Sequence, residues 1–388
     1  MNTPVAALVS APAHPEPRGP RSANHNGSHR HLLTRDAFAV PAAVDAIIVP
    51  TARPTAYLEH VVALAKHHGC TLVALCSRHA SADAATALAE RAGVEIVATD
   101  IAEAPEDAVP VFRTTAMLRG GRFARRTDTS LKRNLGLLLA AAAGWERVVY
   151  VDDDVVIPNP DDLGTAAGLL DTFTGVGLSV GGYPDNSVVC HAYREAGGDQ
   201  DTFIGSGALA IGRESFTSFF PDIYNEDWFF LLNDTGLAPS AVTGLALQKP
   251  YDPYRDTTRA RGEELGDCLA EGLFGLLDGG QGLSGATAGY WRWFLDQRRR
   301  FIDEVIAMVG DTQPEGPAKQ RMVAALKAAR GRNRLIEPQL CVDYLAAWRA
   351  DREVWRAHVE ETSRRYGGRP VPKLLADLGL LHRYRPRA

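Results

Sequence analysis

Three consecutive acids, Asp152, Asp153 and Asp154, follow the apolar run Val148-Val149-Tyr150-Val151. Carboxylates at the edge of a buried sheet repel one another and lose solvation, and both effects raise the free energy of the ionised forms. A hard divalent ion with oxygen ligands, Mg2+ or Mn2+, offsets that cost naturally when it also bridges a diphosphate. In an extended turn Asp152 and Asp154 point to one side, so these two are the expected metal ligands, and Asp153 turns elsewhere, toward a ligand hydroxyl such as a sugar's. The plainer alternative is a turn that ends the strand. A second acidic signal is Tyr224-Asn225-Glu226-Asp227-Trp228, followed by an apolar run over 229–232. Acids that open a helix oppose its dipole, so capping is one reading. The other is general-base chemistry, because a carboxylate beside an aromatic wall is poorly solvated and becomes a better proton acceptor.

These residues need a frame, and the pattern from residue 44 supplies one. An apolar run over 44–49 closes at Pro50, and apolar residues over 57–68 fall at helical spacing. Thr71–Cys76 reads as a second strand, Ala82–Ala92 as a second helix, and 94–98 as a third strand. Strands separated by helices imply right-handed crossovers and a parallel sheet covered on both faces. Ligands of such sheets bind at the carboxyl ends of the strands, which directs attention to the residues after 49, 76 and 98. A basic stretch over 105–128 holds Arg113, Arg119, Arg122, Arg125 and Arg126. Thr129 or Ser130 can cap an Ala- and Leu-rich helix that runs to Ala143, Gly144 stops it, and Arg147–Val151 is the strand that delivers the three acids.

The strand with Asp152-Asp153-Asp154 resembles the DxD element of GT-A-fold, nucleotide-sugar-dependent glycosyltransferases, and Glu226-Asp227 resembles the ED motif of the inverting family 2 type. Ile48-Val49-Pro50-Thr51 resembles the first strand and nucleotide loop of that family, Lys132-Arg133-Asn134 its donor-side helix, and Gly205-Ser206-Gly207-Ala208 its glycine-containing segment. The resemblance covers about residues 44–250 and rests on five short motifs in the expected order. It implies an α/β fold with a mixed, mostly parallel sheet, helices on both faces and a C-terminal helical extension. It further implies Asp152 and Asp154 on the metal, and Pro50, Thr51, Arg53, Ser77, Arg133, Asp152 and Asp153 around the donor. Arg133, with Arg125 or Arg126, would add positive charge at the leaving group. Asp227 would be the base, with Glu226 orienting it or the acceptor. Two departures stand out. Cys76-Ser77-Arg78 lacks the Asp that reads uracil in many members, leaving Asp100 as a weak substitute. No His lies between Trp228 and Arg300 to complete a metal shell, so His191 and Lys249 are the remaining candidates for donor or phosphate contacts.

The chain has 388 residues, a formal net charge of -5 and 45% hydrophobic residues, which are globular values and argue against a general nucleic-acid binder. Five scattered cysteines without a CxxC pair favour neither disulfides nor structural zinc. With no apolar segment of membrane-spanning length, these features predict a cytoplasmic protein without integral membrane association, and richness in Ala, Arg and Gly suggests a GC-rich bacterial genome. The expected organisation is a disordered arm over 1–40 that includes His14, His25, His29 and His31, a catalytic domain over 41–258, a helical extension over 259–370 and a basic tail over 371–388. In the extension, Tyr290, Trp291 and Trp293 are either core aromatics or stacking surfaces for a sugar. The expected partners are a nucleoside-diphosphate sugar and an acceptor, a small metabolite or a glycan, in a hexosyltransferase reaction. A sugar-phosphate nucleotidyltransferase is the enzymatic alternative, although 50–54 offers no glycine-rich phosphate loop. A nucleotide-sugar-binding or carbohydrate-binding protein without turnover is the other.

Overall fold

A computed structural model describes residues 22–35, 37–105, 108–183, 187–205, 207–380 and 382–387. The chain divides into two units that interleave along it, one taking 32–179, 204–246 and 343–388, the other 22–31, 180–203 and 247–342. The units are interleaved rather than consecutive, in contrast to the segments bounded near 40, 258 and 370 that the sequence pattern suggests.

The first unit is built on a mixed, mostly parallel sheet. In chain order its strands are β1 (Thr34–Arg35), β2 (Ala46–Thr51), β3 (Thr71–Cys76), β4 (Ile96–Asp100), β5 (Arg147–Val151), β6 (Val155–Val156), β7 (Gly175–Gly182), β8 (Ala208–Gly212), β9 (Ser240–Gln248) and β10 (His382–Arg385). They lie in the order β1-β9-β7-β8-β5-β2-β3-β4-β10, with β6 on β9. β5, β2, β3 and β4 are mutually parallel, whereas β8 runs antiparallel to β5 and to β7.

The helices are α1 (Glu59–His68), α2 (Ala82–Ala92), α3 (Arg113–Leu118), α4 (Thr129–Ala143), α5 (Asp161–Leu169), α6 (Val188–Glu195), α7 (Glu226–Phe230), α8 (Thr257–Asp278), α9 (Ala288–Thr312), α10 (Pro317–Asn333), α11 (Pro338–Tyr366) and α12 (Val371–Asp377). Central strands read as continuous apolar runs because both faces are covered. Ile47, Val49, Leu72, Ala74, Val149 and Val151 pack with α1, α2 and α5 on one face. On the other, α4 approaches so closely at Gly136 that a Cβ there would lie 2.8 Å from both Ile48 and the Tyr150 hydroxyl.

Several expectations shift. β2 continues through Pro50 to Thr51; its pairing with β5 ends at Ile48, so the missing N–H of Pro50 falls where those strands part. The third strand is Ile96–Asp100, two residues later than expected, and the basic loop contains α3. Its first N–H groups are capped by Asp351, which accepts from Arg113 N at 2.8 Å, Thr114 N at 2.9 Å and the Thr114 hydroxyl at 2.8 Å. Most of α11 therefore belongs to the sheet unit, where Trp348 packs edge-on against Phe229 of α7. The basic tail is also part of the sheet: His382–Arg385 form β10, antiparallel to β4.

The second unit packs α6, α8, α9 and α10 around Tyr193, Phe301, Ile302, Val305, Met322 and Leu326. Buried Arg298 pairs with Asp267, with Glu271 at 2.8 Å and with Glu264 at 3.5 Å. Cys190, Asp267 and Glu271 bring their ligand-type atoms within 4.8 Å of one another, and Arg298 supplies positive charge to that group. Residues from 22 on, expected within the arm, are tied down: His29 is buried and pairs with Asp278, His31 reaches the other oxygen of Asp278 at 2.8 Å, and Asp201 N donates to Ser28 Oγ at 2.8 Å. His14 lies outside the described residues. Trp291 is a core residue and the Tyr290 hydroxyl donates to Gly272 O at 2.5 Å, whereas Trp293 is exposed. All five cysteines are free and buried.

Candidate active site

From β2 the chain steps outward to β3 and β4, then returns to place β5 on the other side of β2. At such a switch point the loops leaving the two carboxyl ends diverge and open a crevice. Thr51-Ala52-Arg53 leave β2 there, and Asp152-Asp153-Asp154 leave β5.

The acids do not keep the alternation of an extended segment. Val155 N donates to Asp152 O at 3.1 Å, so 152–155 is a tight turn. Asp152 opens this turn, and Asp153 and Asp154, which an extended segment would point to opposite sides, meet on one guanidinium. Arg53 spans the latter two, pairing with Asp153 through Nη1 and with Asp154 through Nη2 at 2.6 Å. Asp153, only 2% exposed, also accepts from the Thr51 hydroxyl at 2.8 Å and from Ala52 N and Arg53 N at 3.3 and 3.4 Å. It knits the β2 loop together. Asp152 N donates to Gly207 O at 3.0 Å, and a Cβ on Gly207 would sit 3.5 Å from Asp152 Oδ2. The start of β8 is thus in contact with this carboxylate. Ser206 lies outside the described residues.

Three successive residues of α4 organise the rest. Buried Lys132 donates to Thr51 O at 2.8 Å and Ser77 Oγ at 2.7 Å, and pairs with Asp128 at 3.0 Å. It ties the ends of β2 and β3 together, and burial pushes its ammonium below the ordinary lysine range against the pull of Asp128. Arg133 donates through Nη2 to Asp152 and through Nη1 to Glu226. Burial opposes its charge, but Asp152, Glu226 and Asp227 outweigh that and hold it firmly protonated. Asn134 makes a reciprocal pair with the Phe220 backbone, 2.9 Å in each direction, fixing the segment that leads to α7. The Tyr150 hydroxyl donates to Arg133 O at 2.6 Å, anchoring this turn of α4 to β5.

Glu226, 4% exposed, is clamped between Arg133 and Arg125, whose Nη1 lies 2.8 Å from Glu226 Oε2. Arg125 also donates to Ile223 O. Asp227 is half-buried and takes the Trp228 N–H at 3.0 Å on Oδ1, while its Oδ2 lies 3.8 Å from where a Cβ on Gly205 would be. Asn225, just before α7, has the left-handed φ of 60°, a conformation asparagine tolerates.

Both arms of Arg133 hold carboxylates, and Arg125 holds Glu226 and the Ile223 carbonyl. Arg126 is exposed and its carbonyl accepts from Arg78 Nη2 at 3.1 Å. Asp100 accepts from Ala82 N at 3.0 Å, which stitches β4 to α2. His191 and Lys249 belong to the second unit. His191 is fully buried, its Nε2 2.7 Å from the Tyr251 hydroxyl and its Nδ1 2.9 Å from Arg194 Nη2; burial, then Arg194 and Arg259, push its pKa down to about 3. It is a satisfied neutral imidazole.

Asp222 was missed in the sequence. Burial pushes its carboxyl up to about 6, with Glu226 adding to the shift and Arg125 opposing it.

The donor set suits a hard cation shared with a phosphate. Around Asp152–Asp154 and Glu226–Asp227 no three ligand groups converge among the described residues, so the chain offers one or two carboxylates. That is how Mg2+ is usually held when substrate phosphates complete its shell.

No family model matches the chain, and no curated protein sequence matches it. Among solved structures it is similar to mannosyl-3-phosphoglycerate synthase from Rubrobacter xylanophilus, with 13% identity and a TM-score of 0.34 over 54% of this chain and 68% of that one. It is also similar to the mannosyltransferase PcManGT from Pyrobaculum calidifontis, in complex with GDP-Man and Mn2+, with 17% identity and a TM-score of 0.41 over 82% of this chain and 89% of that one. These likenesses are remote, and the functional reading rests on the site itself. Among the described residues no helix is long and apolar enough to cross a membrane.

Proposed function

We propose that the chain is a metal-dependent, inverting glycosyltransferase of the GT-A type, resembling family 2, which moves a hexose from a nucleoside-diphosphate sugar to an acceptor hydroxyl. The observation that carries this reading is the joining of two acidic elements into one cluster: Arg133 links Asp152, at the carboxyl end of β5, to Glu226 at the start of α7, which places Asp227 beside it. A metal-binding edge and a candidate base are thereby held in a fixed relation at the switch point of the sheet.

Mg2+ or Mn2+ held by Asp154, with Asp152, would neutralise charge on the donor diphosphate. The ends of β2 and β3, tied by Lys132 and Ser77, form the floor of the nucleotide crevice. Asp227 takes the proton of the acceptor hydroxyl; the acceptor oxygen bonds to the anomeric carbon from the face opposite the leaving group, and the bond to the diphosphate breaks with its electron pair leaving on phosphate oxygen. Glu226 positions this step. Its two arginine partners keep it paired, whereas Asp227 is half-buried and carries the acceptor-side role. A soluble, small-metabolite acceptor and a cytoplasmic setting are part of the same proposal.

The test is a panel of nucleoside-diphosphate sugars with and without Mn2+. Asp154→Ala should lose metal-dependent donor turnover, and Asp227→Asn should retain donor binding but lose transfer. Full activity in both variants would sink the reading, and pyrophosphate release from a nucleoside triphosphate would replace it with nucleotidyl transfer.

A further inference from the structure

The side chain of Arg53 is 44% exposed, yet it reaches two carboxylates of very different standing. Through Nη1 it meets Asp153, which the Thr51 hydroxyl and two backbone N–H groups fix from the other side. Through Nη2 it meets Asp154 at 2.6 Å, whose side chain is 14% exposed against 1% for Asp153. The guanidinium also lies 5.7 Å from the Tyr57 ring centroid, so an aromatic surface flanks it. Arg53 thus joins a carboxylate fixed by three further donors to one nearer the surface.

We propose that Arg53 couples metal binding to diphosphate binding, its guanidinium competing with a divalent cation for Asp154 until a diphosphate draws it away. This rests on the glycosyltransferase reading of Asp154. A divalent ion on Asp154 would stand within a few ångströms of a permanent positive charge, and like charges at that range repel strongly in a partly desolvated site. The repulsion is relieved when Nη2 leaves Asp154 for phosphate oxygens, which a guanidinium fork recognises well. Arg53 keeps its anchor on Asp153 throughout. The consequence is that metal alone binds weakly, diphosphate alone binds weakly, and each strengthens the other by the same factor.

The experiment titrates Mn2+ into the full-length protein, following free Mn2+ by electron paramagnetic resonance, with and without inorganic pyrophosphate. For the wild type, pyrophosphate should tighten Mn2+ binding. In Arg53→Ala, Mn2+ without pyrophosphate should bind at least tenfold more tightly, and the coupling between the two ligands should shrink. Arg53→Lys, which keeps the charge without the fork, should remain close to wild type for Mn2+ alone and lose part of the coupling. Circular dichroism melts establish that the variants fold, and Asp154→Asn assigns the Mn2+ site. Equal Mn2+ affinity in wild type and Arg53→Ala, with binding that depends on Asp154, overturns the coupling role and leaves the proposed function standing. Mn2+ binding that is insensitive to Asp154→Asn, with or without pyrophosphate, overturns both.

Discussion

Arg133 Nη2 lies 3.0 and 3.2 Å from the two carboxylate oxygens of Asp152. The guanidinium is buried and the carboxylate sits at the rim, so the arginine sets the position of an acid it shields from water only on one side. Its other arm is on Glu226. Removing it leaves Asp152 without this cation and buried Glu226 with Arg125 alone, and breaking such a buried pair costs at most about 3–5 kcal/mol. Arg133→Met should lose stability of that order in urea unfolding at pH 7. Arg133→Lys can hold one acid at a time and should fall between the two. A melting curve like wild type for Arg133→Met would show that the cluster does not depend on this residue.

The adjacent acids should separate cleanly by stability. Glu226→Gln leaves Arg125 and Arg133 facing a neutral amide in a buried site, at a cost of about 1–3 kcal/mol. Asp227 is half-buried, takes the Trp228 N–H and adds to the field that holds Arg133 protonated, while Arg133 keeps its direct partners Asp152 and Glu226, so Asp227→Asn should cost less than Glu226→Gln, about 1 kcal/mol. Thermal melts of the two variants, run side by side, give the comparison; equal losses would remove the division of labour between them.

Much of this site is legible in the sequence. The strand ends, the boundaries of Thr71–Cys76, Ala82–Ala92 and Arg147–Val151, and α4 from Thr129 follow from apolar runs and glycine stops, which are local signals. Side-chain direction is not local. The turn closed by Val155 N on Asp152 O breaks the period-two pattern, so Asp153 and Asp154 share a guanidinium that a strand-like reading separates. Arg133 and Arg125 look like free positive charge in a linear reading, because their partner Glu226 lies 93 and 101 residues away. The C-terminal residues carry the same lesson. A basic stretch reads as solvated tail, yet an exposed β4 edge gives its backbone partners that no composition reveals.

Titration in acid should distinguish two opposing contributions. The His191 pKa is down at about 3 and that of His25 at about 4, both chiefly through burial. Each stays neutral in the native state while its unfolded counterpart gains a proton below about 6.5, so stability is lost as pH falls from there. At pH 5 each histidine accounts for about 2 kcal/mol of that loss. Asp222 works the other way: with its carboxyl at about 6 in the native state, it holds a proton that the unfolded chain releases near 4, and it costs stability as pH rises through that window. Urea unfolding between pH 4 and pH 7 should show a flatter acid limb for His191→Gln. Asp222→Asn should gain stability at pH 7 relative to pH 4, by about 3 kcal/mol at most. Unchanged slopes in both variants would assign the pH dependence elsewhere.

β10 covers the edge of β4 with residues that alternate half-buried and exposed, in register from His382 opposite Thr99 to Arg385 opposite Ile96. Its charges suit an outer strand, since lysine and arginine on an edge discourage further strand addition. Arg383 pairs with Asp83 at 2.5 Å, and the Tyr384 hydroxyl lies 3.2 Å from Glu95. Removing residues from 382 onward would strip the ladder bonds and uncover the largely apolar strand Ile96–Asp100. At about 0.5–1.5 kcal/mol per hydrogen bond, the loss should be on the order of 2 kcal/mol, and the exposed edge should recruit other strands. The shortened chain is expected to melt several degrees lower and to scatter light at micromolar concentration below its melting temperature. A truncated chain that stays monodisperse with an unchanged melting temperature would show that β10 neither stabilises nor shields the sheet.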